Sequence, residues 1–113
     1  MEILIVDDDK CSLKLCEVIL REYTTYAEND SRLALEVFTS NKPKIALLDC
    51  GMPFIDGFEI AEEIRKIDSN CKIIMMSATP HDEQKIIDHC DAFFMKPFPA
   101  ARLRDLVKEV LQH

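Results

Sequence analysis

Short apolar runs alternate with amphipathic stretches along this chain. Four runs are continuous and rich in aliphatic, β-branched or aromatic residues, as in strands that are covered on both faces of a parallel sheet. They are residues 3–6, 45–48, 71–76 and 92–95. Residues 23–27 contain more threonine and tyrosine, which indicates a less buried strand at an edge of the sheet.

Between the strands, apolar residues recur at spacings of three and four, which is the pattern of a helix with one buried face. The first predicted helix covers residues 10–22, and the second begins at residues 29–31 and ends at residues 41–43. The third follows Gly57, the fourth covers residues 83–89 and the fifth covers residues 99–112. The predicted buried faces include Leu33 and Ile67. Five strands that alternate with five helices predict an α/β domain with right-handed crossovers.

The polar residues that follow the central strands are of types used in phosphoryl chemistry. They are Asp7 and Asp8 after the first strand, Asp49 after the third, Ser77 after the fourth and Lys96 after the fifth. Right-handed crossovers bring the carboxyl ends of parallel strands to one edge of the sheet, where open α/β folds bind ligands. We therefore expect these side chains to form one site.

Three carboxylates in one site repel each other unless a cation neutralises them. Mg²⁺ suits such a site because it prefers oxygen ligands, keeps several waters and takes further ligands from a phosphate. A carboxylate can also act as a nucleophile toward phosphorus and form an aspartyl phosphate. The predicted roles are Asp49 as acceptor, Asp7, Asp8 and the Gly51 backbone carbonyl as metal ligands, Lys96 as cation and Ser77 as hydroxyl donor.

Each of these residues also has an ordinary structural interpretation. A run such as residues 7–9 is often a solvated helix cap, and a serine like Ser77 is common in turns. A lysine before a proline, as at Lys96, is usually a surface residue. The agreement of four strand ends favours the functional interpretation over these separate ones.

Composition narrows the class of protein. At 113 residues and a net charge of −7, the chain is expected to be one acidic domain, residues 1–113, with no separate effector domain. Negative charge repels phosphate backbones and anionic lipids, so we expect neither nucleic-acid nor membrane binding. No run resembles a spanning helix or a signal peptide, which predicts a cytoplasmic protein. The five cysteines lack Cys-x-x-Cys spacing and are expected to be buried free thiols.

Four stretches form a combination that is highly specific: residues 3–9, residues 48–53 with Asp56-Gly57, residues 76–78 and residues 95–98. Together they resemble the receiver domain of two-component response regulators, and the resemblance covers the whole chain. It implies a flavodoxin-like, doubly wound, five-stranded parallel sheet in the order 2-1-3-4-5, flanked by five helices. It also implies a cis peptide bond before Pro97.

The same resemblance implies a function. Asp49 would take a phosphoryl group from a phosphohistidine on a histidine kinase or histidine phosphotransfer protein, with Mg²⁺ required and Mn²⁺ able to substitute. In the family, phosphorylation draws the strand-four hydroxyl inward, and an aromatic residue on strand five follows it. Those positions here are Ser77 and Phe93. The changed surface then signals to a downstream target protein.

Two features depart from the family pattern. The segment between Ser77 and Lys96 is short, and residues 90–92 lack the usual glycine before the fifth strand. We therefore expect the fourth helix or its loops to be trimmed, which affects the output surface more than the phosphorylation site. His81 lies near the predicted edge of the site and is interpreted as an ordinary loop histidine.

Other functions remain as alternatives. The chain is expected to be no enzyme beyond assisting its own phosphorylation and dephosphorylation. One alternative is a small phosphohydrolase with Asp49 as nucleophile, and the other is a receiver-like protein-interaction module that is not phosphorylated. Only two glycines are present, Gly51 and Gly57, so neither a P-loop nor a Gly-x-Gly-x-x-Gly nucleotide site can be formed.

Overall fold

Five parallel strands form one sheet in the order β2-β1-β3-β4-β5. The computed structural model of the protein describes residues 2–112. The strands are β1 (Glu2–Val6), β2 (Thr24–Glu28), β3 (Ile45–Asp49), β4 (Lys72–Ser77) and β5 (Ala92–Met95). The strand order and the edge position of β2 confirm the predicted doubly wound fold.

Helices cover both faces of the sheet. They are α1 (Lys10–Ile19), α2 (Ala34–Asn41), α3 (Gly57–Ile67), α4 (Glu83–His89) and α5 (Ala100–Leu111), with one 3-10 turn, Ser31–Leu33, before α2. Aspartate side chains cap three of them, because Asp9, Asp56 and Asp82 accept backbone N–H groups at the starts of α1, α3 and α4. Within residues 2–112, no helix has both the length and the apolar character needed to cross a lipid bilayer.

Successive residues of the central strands enter two separate cores, because side chains alternate between the faces of a sheet. On one face Ile5 packs in the core that contains residues of α1 and α5. On the other face Leu4 packs in the core that contains residues of α2 and α3. Burial on both faces explains why these strands are continuous apolar runs in the sequence. Polar side chains are left for the strand ends.

The first helix ends at Ile19 rather than at Glu22, so its predicted end was wrong. Leu20 remains fully buried after the helix has ended, and its carbonyl accepts a hydrogen bond from the Tyr23 N–H at 2.9 Å. The apolar pattern thus continues through a turn, and periodicity alone extends the helix too far.

Two positions predicted on buried faces are exposed. Leu33 is 44% exposed because it lies in the 3-10 turn rather than in α2. Ile67 is 49% exposed and is the last residue of α3, where the helix leaves the sheet. Both errors fall at helix ends, where the helical period no longer decides which side faces the core.

The fourth helix is held less firmly than the others. It has seven residues and none of them is buried. The connection from α4 to β5 is fixed instead by Asp91, whose carboxylate accepts hydrogen bonds from the Arg65 guanidinium at 2.7 Å and the Ile73 backbone N–H at 2.8 Å. A short, weakly anchored helix is what the short segment between Ser77 and Lys96 predicts.

All five cysteines are free thiols. Cys16, Cys50 and Cys71 are buried as predicted, and Cys90 is half-buried. The prediction was wrong for Cys11, because α1 turns Cys16 toward the sheet and leaves Cys11 exposed to solvent. Burial raises the pKa of Cys16 to about 11 and that of Cys50 to about 12.

Candidate functional site

The carboxyl ends of β1 and β3 bring three acidic side chains together. Asp7, Asp8 and Asp49 place carboxylate oxygens within 4.8 Å of one another. Asp7 is fully buried, Asp49 is 8% exposed and Asp8 is exposed. The cluster therefore has a buried side against the sheet and an open side toward solvent.

The carboxyl end of β5 adds one positive charge to this cluster. The Lys96 ammonium lies 2.7 Å from Asp7 Oδ2 and 3.5 Å from Asp49 Oδ2. Burial lowers the pKa of Lys96, but the hydrogen bond to Asp7 and the charges of Asp49 and Asp7 outweigh it, so the pKa is raised. Lys96 is therefore a stable ammonium group between the two carboxylates. The peptide bond between Lys96 and Pro97 is cis, as the resemblance implied.

One lysine does not balance the acidic cluster. Burial, and then repulsion from Asp7, raise the pKa of Asp49 to about 6, although Lys96 and the hydrogen bond from the Gly51 N–H act in the opposite direction. The Gly51 N–H donates to Asp49 Oδ1 at 3.3 Å. The protein's own groups thus disfavour the charged form of Asp49, and further positive charge would stabilise it.

A hard divalent cation fits this arrangement. The cluster presents only carboxylate oxygens, two of its residues are buried against the sheet, and the exposed Asp8 leaves room for water ligands. Gly51 is exposed two residues after Asp49, and its carbonyl stays a predicted further ligand. Mg²⁺ matches this donor set because it combines a few carboxylates with several waters.

A residue that sequence reasoning missed holds the loop after Asp49. Ser31 is buried, and its hydroxyl donates to the Pro53 carbonyl at 2.6 Å and accepts from the Ile55 N–H at 3.3 Å. The chain between these two contacts passes through Phe54, whose φ of 70° lies in the left-handed region. Ser31 was interpreted only as part of a helix start, and nothing in the sequence pairs it with a loop so distant in the chain.

Gly57 is required by close packing beneath Asp49. A Cβ at Gly57 would clash with the Asp49 carbonyl oxygen and lie 3.0 Å from both the Asp49 carbonyl carbon and Met75 Cε. We expect Gly57→Ala to lower the free energy of unfolding by about 2 kcal/mol, since overpacking typically costs about 1–3 kcal/mol. Urea unfolding measures this change.

Gly51→Ala is the matched control, because a Cβ at Gly51 meets nothing within 4 Å. This variant should stay within about 0.5 kcal/mol of wild type, as is usual for a surface change. Equal losses in the two variants would contradict the close-packing explanation.

Ser77 lies at the end of β4, and its hydroxyl contacts Thr79 and His81. The hydroxyl donates to the Thr79 carbonyl at 2.8 Å and accepts from the Thr79 N–H at 3.1 Å. Its oxygen also lies 3.3 Å from Thr79 Oγ1 and 3.0 Å from Nε2 of His81. His81 is thus in contact with a predicted site residue, which its interpretation as an ordinary loop histidine missed. The only signal in the sequence was its position shortly after the end of the strand.

Phe93 is half-buried on β5. It pairs in register with Met75 of β4 and packs against the core on the α2 and α3 side of the sheet. Its neighbour Phe94 faces the opposite core. Phe93 is therefore on the face that α3 and α4 border, and its part in a switch stays a prediction.

Comparison with known proteins gives matches along nearly the whole chain. A family model described as response regulator receiver domain matches residues 3–108. Sporulation initiation phosphotransferase F of Bacillus subtilis is 35% identical over 117 residues, covering 97% of this chain and 93% of that protein. Chemotaxis protein CheY of the same organism is 33% identical, covering 96% of each protein. The structure of response regulator protein TrrA from Thermotoga maritima, in complex with Mg²⁺–BeF, superposes with a TM-score of 0.88 at 32% identity and covers 96% of this chain and 97% of that one.

Proposed function

The chain belongs to the response regulator receiver domain family of two-component systems, and from this membership and the geometry of its acidic edge we propose that Asp49 is its phosphoacceptor. The observation that carries the proposal is the placement of Asp49 beside Asp7, Asp8 and the Lys96 ammonium at one edge of the sheet. The other residues of the site follow from their positions around this carboxylate.

Phosphoryl transfer needs one new bond and breaks one. An Asp49 carboxylate oxygen attacks the phosphorus of a phosphohistidine on a histidine kinase or phosphotransfer protein and forms an O–P bond. The P–N bond breaks, and its electron pair stays on the donor's imidazole nitrogen. Asp49 must be ionised to attack, so the groups that stabilise its negative charge also prepare it as a nucleophile.

Asp7, Asp8 and Asp49, together with the Gly51 carbonyl, would hold Mg²⁺, or Mn²⁺ in its place. When bound, the ion supplies positive charge that offsets the carboxylates and the oxygens of the incoming phosphoryl group. Support comes from the oxygen-only cluster and from TrrA, a relative that carries Mg²⁺ and a beryllium fluoride in its structure. Asp9 has a different role, because its carboxylate caps α1 by accepting the Cys11 N–H at 2.9 Å.

Two side chains would bind the transferred group itself. Lys96 already lies 3.5 Å from Asp49 Oδ2 and would neutralise charge on a phosphoryl oxygen. Ser77 would donate its hydroxyl to another oxygen after it turns from Thr79 toward Asp49. Phe93 would follow this movement and change the surface near α4, which a downstream target protein then reads.

The role is that of a signalling module, and no observation favours the phosphohydrolase or a module that is never phosphorylated. To test the proposal, the protein is incubated with acetyl phosphate and Mg²⁺. We expect intact mass to increase by one phosphoryl group, and borohydride reduction followed by peptide mass spectrometry to map that group to position 49. The same incubation with EDTA should give no uptake.

Three results would contradict the proposal. Uptake at another residue would reject Asp49 as the acceptor, and full uptake in EDTA would reject the metal assignment. Sustained turnover of an unrelated phosphate ester would instead favour the phosphohydrolase. Phosphotransfer from a panel of candidate histidine kinases would then identify the donor.

A further inference from the structure

The Ser77 hydroxyl is held by contacts with Thr79 and His81. A serine hydroxyl has one donor and two acceptor positions. The donor position is used by the Thr79 carbonyl, and one acceptor position is used by the Thr79 N–H. The Ser77 oxygen also lies 3.3 Å from Thr79 Oγ1 and 3.0 Å from Nε2 of His81, so Thr79 and His81 together surround the hydroxyl.

The His81 ring is itself held in place. It packs edge-on against Phe58, with the ring centroids 5.2 Å apart and the planes at 70°. Phe58 is buried in α3, and the Lys85 ammonium of α4 lies 4.4 Å from its ring centroid. His81 also directly precedes Asp82, the residue that caps α4. The imidazole thus connects the end of β4 to α3 and to the start of α4.

We propose that His81 is a positioning residue that holds Ser77 turned away from Asp49 and releases it when Asp49 carries a phosphoryl group. This inference rests on the proposed function of Asp49. Because Ser77 cannot donate to the Thr79 carbonyl and to a phosphoryl oxygen at once, phosphorylation competes directly with the contacts to Thr79 and His81. Release of Ser77 also frees His81, and with it the segment that begins α4.

The hydrogen bond between Ser77 and His81 should therefore weaken the binding of a phosphoryl group at Asp49 by a measurable factor. A single net hydrogen bond corresponds to about a fivefold change in an equilibrium constant. Loss of the His81 bond should therefore favour the inward Ser77 by about fivefold. No residue of α4 is buried, so the start of this helix can follow a movement of His81 without exposing core side chains.

Two substitutions separate the hydrogen bond from the packing. His81→Phe keeps a ring against Phe58 but removes the hydrogen-bonding nitrogen, whereas His81→Gln keeps a hydrogen-bonding amide. With Mg²⁺ present, beryllium fluoride serves as the phosphoryl mimic. We expect His81→Phe to bind it about fivefold more tightly than wild type, and His81→Gln to stay within about twofold. Equal affinity of His81→Phe and wild type would overturn the proposal.

A double-mutant cycle shows whether His81 acts through Ser77. In a Ser77→Ala background, His81→Phe should no longer change the affinity for beryllium fluoride. The same fivefold gain in that background would overturn the proposal, because His81 would then act on the site by another route. Circular dichroism melts check that each variant is folded, and His81→Met replaces His81→Phe if the phenylalanine disturbs folding.

A measurement without any phosphoryl mimic separates this inference from the proposed function. Three-bond couplings measured by NMR report the χ1 angle of Ser77 in the unphosphorylated protein. We expect one rotamer in wild type and in His81→Gln, and averaging between rotamers in His81→Phe. Failure of wild type to bind beryllium fluoride would reject the phosphoacceptor site alone. An unchanged Ser77 rotamer in His81→Phe would reject the role of His81.

Discussion

Asp49→Asn is expected to take up no phosphoryl group from acetyl phosphate under conditions that fully modify the wild-type protein. Asparagine has nearly the shape of aspartate, but its amide is a very poor nucleophile toward phosphorus and brings no negative charge to a metal. The loss should therefore be complete rather than partial. Intact mass spectrometry after incubation with acetyl phosphate and Mg²⁺ measures it.

Asp9→Asn is the matched control for this experiment. Asp9 belongs to the same acidic run but caps α1, a role that asparagine fills about as well. The control should therefore keep its fold and take up phosphoryl within about twofold of the wild-type rate. Full uptake by Asp49→Asn, or loss of uptake in both variants, would refute the assignment of Asp49.

The same substitution is expected to stabilise the protein when no metal is present. Burial and the Asp7 charge raise the pKa of Asp49 to about 6 in the folded state. In the unfolded chain the pKa returns to about 4, and each unit of difference corresponds to about 1.4 kcal/mol. At pH 7.5 in EDTA, the ionised Asp49 thus costs the fold about 3 kcal/mol. Asparagine avoids this cost, and urea unfolding at pH 7.5 should show the gain.

The pH dependence gives the sign of this effect. Between about pH 4 and pH 6 the folded state binds more protons at Asp49 than the unfolded state, so stability from this residue falls as pH rises through that window. The advantage of Asp49→Asn should therefore be large at pH 7.5 and small near pH 4. A variant less stable than wild type at pH 7.5 would contradict the electrostatic explanation.

Much of the fold could be predicted because the central strands are buried on both faces. Continuous apolar runs locate such strands directly, as for Ile45–Asp49, and the alternation with helices then leaves few topologies. The acidic edge could be predicted for the same reason, since parallel strands bring Asp7 and Asp49 to one end of the sheet. Strand order itself came from family resemblance and not from periodicity.

The rest depended on information that periodicity does not contain. A buried residue such as Leu20 in a turn has the same signature as one in a helix, so the end of α1 was extended. The orientation of Ser77 depends on a rotamer, and rotamers are set by three-dimensional neighbours. His81 and Ser31 act through contacts with loops, where sequence spacing gives no fixed geometry. The strand ends that were expected to meet therefore do meet, whereas the loop contacts that orient their side chains were not predicted.

The single exposed cysteine makes this protein easy to label at a chosen place. Thiolates react with maleimides, and the high pKa values of the buried Cys16 and Cys50 leave almost no thiolate there at neutral pH. Cys11 stands on the solvent side of α1 and, with Lys96 and Phe98, lines the same shallow cavity. A fluorophore attached to Cys11 would thus sit beside the acidic edge, and its emission would follow the occupancy of that edge in a wild-type sequence.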